Sequence, residues 1–419
     1  MSTFVFALRE AHWLGAGRAT AWARLLALTT LLAVLAFVVL THGGSAPDPW
    51  QRPLATDFVS FWTAAKLALG GAPAAAWNPA VHAAMQRLNF GPNAGFDTTY
   101  YAFFYPPPFL LICLPLALLP YSAAVAVWLG ATGAACYAVV RALLPGRWPA
   151  ALVFLAFPPV LINAAHGQNG AAVTALLGAA TLQLDRRPWL AGACLGAMCF
   201  KPQLALLILP TLIAARRWHA LAWAAAVASG LCLISLLLFG AAAWRGFLAD
   251  APLAQAVLEL GGVGFGKMVS SFAAARLLGV NLTTAWVVQT LVSLTALAAV
   301  LLVAHRRPRG APEGATLATA ACLATPFLLD YDLMLLAIPL AWVAAEAERT
   351  GYLPWEKVTL AVVFVSPLLA RSLAIWCGVP MAPLVLLALL GVVVRRARAV
   401  APASLEVRAM GAGAATAWR

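Results

Sequence analysis

Residues 186–218 read RRPWLAGACLGAMCFKPQLALLILPTLIAARRW. The apolar run between the two arginine pairs is long enough for one membrane crossing. Loops rich in lysine and arginine stay on the cytoplasmic side of a bilayer. A single crossing would therefore strand one pair, Arg186-Arg187 or Arg216-Arg217, on the wrong face. Lys201-Pro202 near the middle resolves the conflict. Proline lacks a backbone donor and disfavours helix at the residue before it. The stretch is expected to form a hairpin of two short helices that meet at Lys201-Pro202. Broken helices at membrane depth are tolerated where they line a cavity. Lys201 then points into the protein, on the side away from the cytoplasm.

The rest of the chain agrees with a bilayer as solvent. Of 419 residues, 63% are hydrophobic and 10% charged, with a mean hydropathy of +0.88. Soluble domains carry about 25% charged residues, so this chain cannot cover a water-facing surface. The apolar runs are long and lack the alternation of a membrane barrel. The fold class is therefore all-α, a polytopic membrane helical bundle. The net charge of +13 lies in short arginine clusters between apolar runs. That pattern is a topology signal and not a nucleic-acid surface. The seven cysteines form no CxxC pair and read as small packing residues. The first apolar run, 22–41, is too long for a signal-peptide core and lacks a clear cleavage site, so a retained span is expected.

Arg9, Arg18 and Arg24 place the N-terminus in the cytoplasm. The first outer loop then covers 42–105. Phe58, Phe61, Trp62, Ala65 and Leu69 recur at helical spacing, as do Val81, Met85 and Leu88. Two short amphipathic helices on the outer leaflet are expected, separated by Gly70-Gly71-Ala72-Pro73. A short interfacial piece at 109–119 precedes spans at 121–143, 150–163 and 171–184. After the hairpin come a span at 220–239 and a second outer loop at 240–281. Further spans follow at 286–304, 315–329, 333–345, 358–373 and 383–394. The count is about 11–13 transmembrane helices and half-helices. Residues 1–398 form one integral membrane domain. The Ala/Gly-rich tail 399–419 follows Arg395-Arg396-Arg398, is cytoplasmic and is expected to be disordered.

This topology gathers Asp57, Asp97, His166, Gln168, Lys201, Asp330 and Asp332 on the outer side. Ionisable residues at membrane depth are costly and mark functional sites. Asp57 can act as a general base toward a hydroxyl. It can equally cap the helix that starts at Phe58. Lys201 can hold a phosphate as a point charge, or snorkel to the interface. Gln168 and Asn169 can bond a sugar or serve as plain turn residues. His166 is a ligand, a proton carrier or an interfacial histidine. Asp330 and Asp332, flanking Tyr331, can orient hydroxyls or cap a helix, and without partner histidines they are weak metal ligands. Tyr105 closes an aromatic belt that anchors at the interface or contacts lipid or sugar. The 261–267 run GGVGFGK follows no strand, so a phosphate loop is rejected. A flexible loop over the cavity fits better, with Lys267 in reach of a phosphate.

Several of these elements resemble a known family. They are Asp57-Phe58-Val59-Ser60-Phe61-Trp62 with Leu67-Ala68-Leu69-Gly70-Gly71, Tyr105-Pro106-Pro107, Pro115-Leu116-Ala117-Leu118-Leu119-Pro120, Gly167-Gln168-Asn169, Arg187-Pro188 through Ala191-Gly192 to Lys201-Pro202-Gln203, and Pro326 with Tyr331-Asp332-Leu333. In order and spacing they resemble glycosyltransferase family 87, the polyprenyl-phosphate-mannose-dependent mannosyltransferase-like membrane proteins. The resemblance spans about residues 20–395. It implies a GT-C fold with the active site facing away from the cytoplasm. It also implies a polyprenyl-phosphate sugar donor and inversion at the anomeric carbon. Asp57 matches the family's base, and Lys201 its phosphate-holding residue. Apart from the resemblance, Arg52, Lys66 or Lys267 can help Lys201 hold the donor phosphate. The segment matching Asp330-Tyr331-Asp332 carries histidines in mannosyltransferases of the family. Acids stand there instead, so neither mannose nor a phosphoinositide acceptor follows.

The expected function is transfer of a sugar from that donor to a lipid or glycan acceptor, at the outer face of a bacterial cytoplasmic membrane. No nucleotide, metal or other cofactor is expected, because phosphate is already a good leaving group. Membrane lipids are partners and nucleic acid is not. Two other classes fit parts of the sequence. A transporter or flippase for a lipid-linked or small polar solute would use broken helices. A non-catalytic assembly protein would look similar.

Overall fold

The computed structural model describes residues 3–40, 53–90, 100–144, 146, 148–306 and 310–399. Arg52, Asp97 and the tail from 400 onward lie outside the described residues. Regular structure among the described residues is helical, apart from one isolated antiparallel bridge between Met268 and Leu329. Five helices are long and apolar enough to cross a membrane: Ala16–Ala36, Tyr121–Leu143, Trp218–Glu259, Leu282–His305 and Glu356–Cys377. Shorter apolar helices fill the space between them. Leu233, Ile234, Leu237 and Leu238 on one long helix are exposed, as are Val287, Leu291 and Leu294 on another. Apolar faces of that extent need lipid, not water, around them. The chain is a multi-pass helical membrane protein.

The expected hairpin is present. A Cβ on Gly192 would lie 2.2 Å from the Ala220 carbonyl oxygen, and one on Gly196 2.4 Å from that of Ala224. Both pairs have the same offset, so helix Pro188–Ala197 runs parallel to the start of helix Trp218–Glu259. The chain must double back between them. It does so through Pro202–Ala205 and Ile208–Ala214, after a non-helical Lys201 (φ −131°, ψ 67°). The small-x-x-x-small spacing on both partners brings their backbones into contact, as in membrane helix pairs.

Four expectations change in detail. The span at 150–163 is two helices, Ala150–Ala156 and Pro158–His166. Pro158 and Pro159 fit the first turn of a new helix but not the interior of an old one. The second outer loop is largely helical, because helix Trp218–Glu259 bends at Gly240 (φ 75°, ψ 166°) and continues. The span at 315–329 is helical only over Ala311–Ala324, and its last residues lead into a 3₁₀ turn, Asp330–Leu336. The helix Phe58–Leu69 does not lie on a surface, since nine of its twelve residues are buried. Phe58 and Phe61 pack against Tyr105, Phe109, Tyr121 and Trp128. Helix Pro79–Phe90 does keep an outward apolar face, with Val81 and Leu88 exposed and His82 and Gln86 buried.

Arginine clamps hold several helix ends. Arg217 bridges Asp185 at 2.6 Å and Glu313 at 3.0 Å. Arg396 grips both carboxylate oxygens of Glu356 and also donates to the Thr350 hydroxyl (2.7 Å) and the Gly351 carbonyl (2.8 Å). Buried charges of this kind are stable only when paired and hydrogen-bonded.

Candidate active site

Asp57 sits at the start of helix Phe58–Leu69, yet its side chain makes no capping bond. The carboxylate is held from elsewhere. Gln168 Nε2 donates to Asp57 Oδ2 at 3.0 Å, and the Asp57 N–H donates to the His166 carbonyl at 3.0 Å. The 166–169 turn must press against the helix start to do this. Gly167 permits it with φ 66°, where a Cβ would meet those of Ala55 at 2.6 Å and Phe58 at 2.7 Å.

Gln168 is itself fixed. Its Oε1 accepts from the Tyr105 hydroxyl (3.1 Å) and from the Asn169 N–H (3.2 Å), which turns the amide nitrogen toward Asp57. Burial pushes the Tyr105 phenol up, and the charges of Asp332 and Asp57 add to this, so Tyr105 stays a donor. Asn169 Oδ1 accepts from Lys201 Nζ at 2.8 Å. Lys201 also pairs with Asp332 Oδ1 at 2.5 Å and lies 5.3 Å above the Tyr331 ring. The other face of that turn carries Asp330, which bonds Arg371 Nη1 at 3.4 Å. His166 packs against Tyr331 at 5.9 Å between ring centroids.

Lys267 joins the group through the backbone. The Val269 N–H donates to the Leu328 carbonyl at 2.9 Å, beside the Met268–Leu329 bridge. The charges of Lys267, Asp57, Asp330 and Arg371 all act on His166. One topology thus brings together Asp57, Tyr105, His166, Gln168, Asn169, Lys201, Lys267, Asp330, Tyr331 and Asp332.

Exposure divides the group. Lys201, Asp330 and Asp332 are at most 3% exposed, whereas Asp57 and Lys267 are half-buried and the Arg371 side chain is 43% exposed. The Lys201 charge is already compensated by Asp332 inside the protein. Among the described residues of the group, Lys267 and Arg371 are the partly exposed cations. Asp330 and Asp332 are each engaged by a basic side chain. Lys66 is not gathered. It lies nine residues along the helix from Asp57, about 13 Å away, over the Trp62 ring at 4.8 Å.

Arg371 escaped the reading of the sequence. The signal was present as a single arginine within the apolar run 358–373, since a lone charge in a span is a functional marker.

With the geometry in place, comparison with known proteins adds one match. The model of glycosyltransferase family 87 matches residues 103–339, more than half of the chain. The matched region holds Tyr105, the 166–169 turn, Lys201, Lys267 and the 330–332 turn, while Asp57 and Arg371 flank it. No curated protein and no solved structure matches the chain.

Proposed function

Because the chain belongs to glycosyltransferase family 87, we propose that it is an inverting transferase that moves a sugar from a polyprenyl phosphate to a lipid or glycan acceptor. The sugar is a hexose or pentose. The reaction takes place at the outer face of a bacterial cytoplasmic membrane, with both chain termini in the cytoplasm. The observation that carries this reading is the state of Asp57. Its carboxylate is half-buried, bonded by Gln168 and unused by its own helix, and the charges of Lys267 and Arg371 act on the neighbouring His166.

Asp57 takes the proton of an acceptor hydroxyl as that oxygen attacks the anomeric carbon from the face opposite the phosphate. The new C–O bond forms while the bond to the phosphate oxygen breaks, and the electron pair leaves with the phosphate. Lys267 and Arg371 stabilise the charge that develops there. Base catalysis of this kind contributes about 10²–10⁴ in rate. Lys201 acts one step back. With Asp332 it fixes Asn169, and the adjacent Gln168 fixes Asp57. His166 and Tyr331 wall the cavity against the transferred sugar, and Asp330 orients Arg371.

The test uses purified full-length protein, a panel of polyprenyl-phosphate sugars and a membrane lipid extract. Consumption of one donor with appearance of polyprenyl phosphate and a glycosylated product supports the reading. No consumption of any donor by folded protein, or wild-type turnover by Asp57→Asn, refutes it.

A further inference from the structure

A second polar cluster lies around the 73–77 turn, which packs on the far part of helix Trp218–Glu259 on one side and, through Phe103, near His82 and Tyr100 on the other. Gly246 of that helix approaches the 73–77 turn, where a Cβ would lie 3.4 Å from the Ala74 carbonyl oxygen and 3.5 Å from Trp77 Cβ. Asp250, one turn further, shares that inward face. It is 7% exposed, and its carboxylate has no hydrogen bond or ion pair with any described residue. Its charge acts on Tyr100, whose phenol burial already pushes up. The Tyr100 hydroxyl is 3.2 Å from His82 Nδ1. His82 is fully buried, and its Nε2 has no partner. The Trp244 indole N–H, on the same helix as Asp250, is also without a partner. Trp77, Phe103 and Phe247 supply aromatic faces around the cluster.

Buried polar atoms in native proteins are almost always bonded, and a largely covered carboxylate without a hydrogen bond is costly. An unmet imidazole nitrogen and an unbonded carboxylate on either side of one phenol call for a polar ligand. An anion is disfavoured by Asp250. We propose that His82, Tyr100 and Asp250 form a subsite for the carbohydrate part of the acceptor, a neutral polyol, away from the hydroxyl that reacts. A carboxylate accepts from sugar hydroxyls, the imidazole nitrogen bonds a further one, and the aromatic faces cover the C–H side of a ring. The cluster borders the catalytic network. Trp77 Nε1 donates to the Tyr105 carbonyl at 2.9 Å, and the five chain steps from Tyr100 to Tyr105 span at most about 18 Å. The acceptor is then longer than one sugar. This inference rests on the glycosyltransferase reading above.

The experiment places the full-length protein in lipid nanodiscs free of glycoside detergent. Methyl glycosides and methyl diglycosides of mannose, glucose, galactose and arabinose are titrated in, with tryptophan fluorescence and calorimetry as readouts. At least one diglycoside binds saturably. Asp250→Asn and His82→Gln each weaken it at least tenfold, and inorganic phosphate does not compete. Tyr100→Phe, which removes only one hydroxyl, serves if a cooperative melt shows that either variant has lost its fold. The absence of saturable binding by every glycoside, wild-type binding by Asp250→Asn or Tyr100→Phe, or displacement by phosphate overturns the subsite. Failure of the glycosyltransferase reading would look different, with glycosides still bound but no donor ever consumed.

Discussion

The chain buries ion pairs of two kinds. In the Arg396–Glu356 clamp every guanidinium nitrogen has a partner, and both carboxylate oxygens are taken. The Lys201–Asp332 pair is as deeply buried, but it does not close on itself. Lys201 also holds Asn169, whose Nδ2 is left without a partner, and Gln168 carries the restraint on to a half-exposed acid. A saturated network rigidifies a fold, and a partly satisfied one is high-stakes. The first pair ties helix ends together. The second spends its rigidity on an acid that remains reachable.

The most severe test strikes the reachable end. Asp57→Asn keeps size and hydrogen bonding, so its melting curve should match wild type while kcat falls about 10²–10⁴-fold. A smaller loss would return Asp57 to a helix-start role.

Next come the pairs themselves. Removing one partner, in Glu356→Leu or Lys201→Met, should destabilise by about 3–5 kcal/mol, because a charge is left buried alone. Replacing both partners separates the two kinds. Glu356→Leu with Arg396→Met should regain stability and keep turnover per folded molecule. Lys201→Met with Asp332→Leu should regain stability and lose turnover. Equal activity in the two double variants would erase the distinction.

A lesser change is expected at the exposed cations. Lys267→Met and Arg371→Met should each raise the donor KM about tenfold, equivalent to about 1.4 kcal/mol; Lys267→Met should melt like wild type, whereas Arg371→Met should also lower the melt, because Asp330 is left buried without its cation. Exposure keeps these charges well solvated, so the loss stays modest.

A pH dependence is expected at His82. Burial holds its pKa down, from 6.5 to about 4. The unfolded chain therefore binds a proton that the folded one refuses. The stabilisation is whole above pH 6.5 and declines as pH falls toward about 4. Melting curves of wild type and His82→Gln across that window should converge at the acid end.

Much of this architecture was legible in the sequence because charge and proline act locally. The hairpin at Lys201-Pro202 followed from two arginine pairs that had to share one side. Span 121–143 was found to the residue. The break at Phe157 was missed although Pro158-Pro159 announced it, because hydropathy stays high across the break. The helix beyond Gly240 was hidden by three charges, Arg245, Asp250 and Glu259, and by Pro252, which suggested a loop. Asp57 stood out by position, but its restraint by Gln168 joins residues 111 apart. Arg371 meets Asp330 from 41 residues away. No window along the chain contains either contact, so only the folded bundle reveals them.

The close parallel seam of Gly192 and Gly196 with Ala220 and Ala224 has a consequence for biosynthesis. It lets the hairpin set early, with Lys201 at its tip, before Asp332, which follows Lys201 by 131 residues, is made. Until that acid arrives, the ammonium has only Asn169 and water. The last third of the polypeptide therefore acts as a lock on the first two, and a ribosome-stalled chain ending before Asp332 should remain open to proteolysis at the tip of the hairpin.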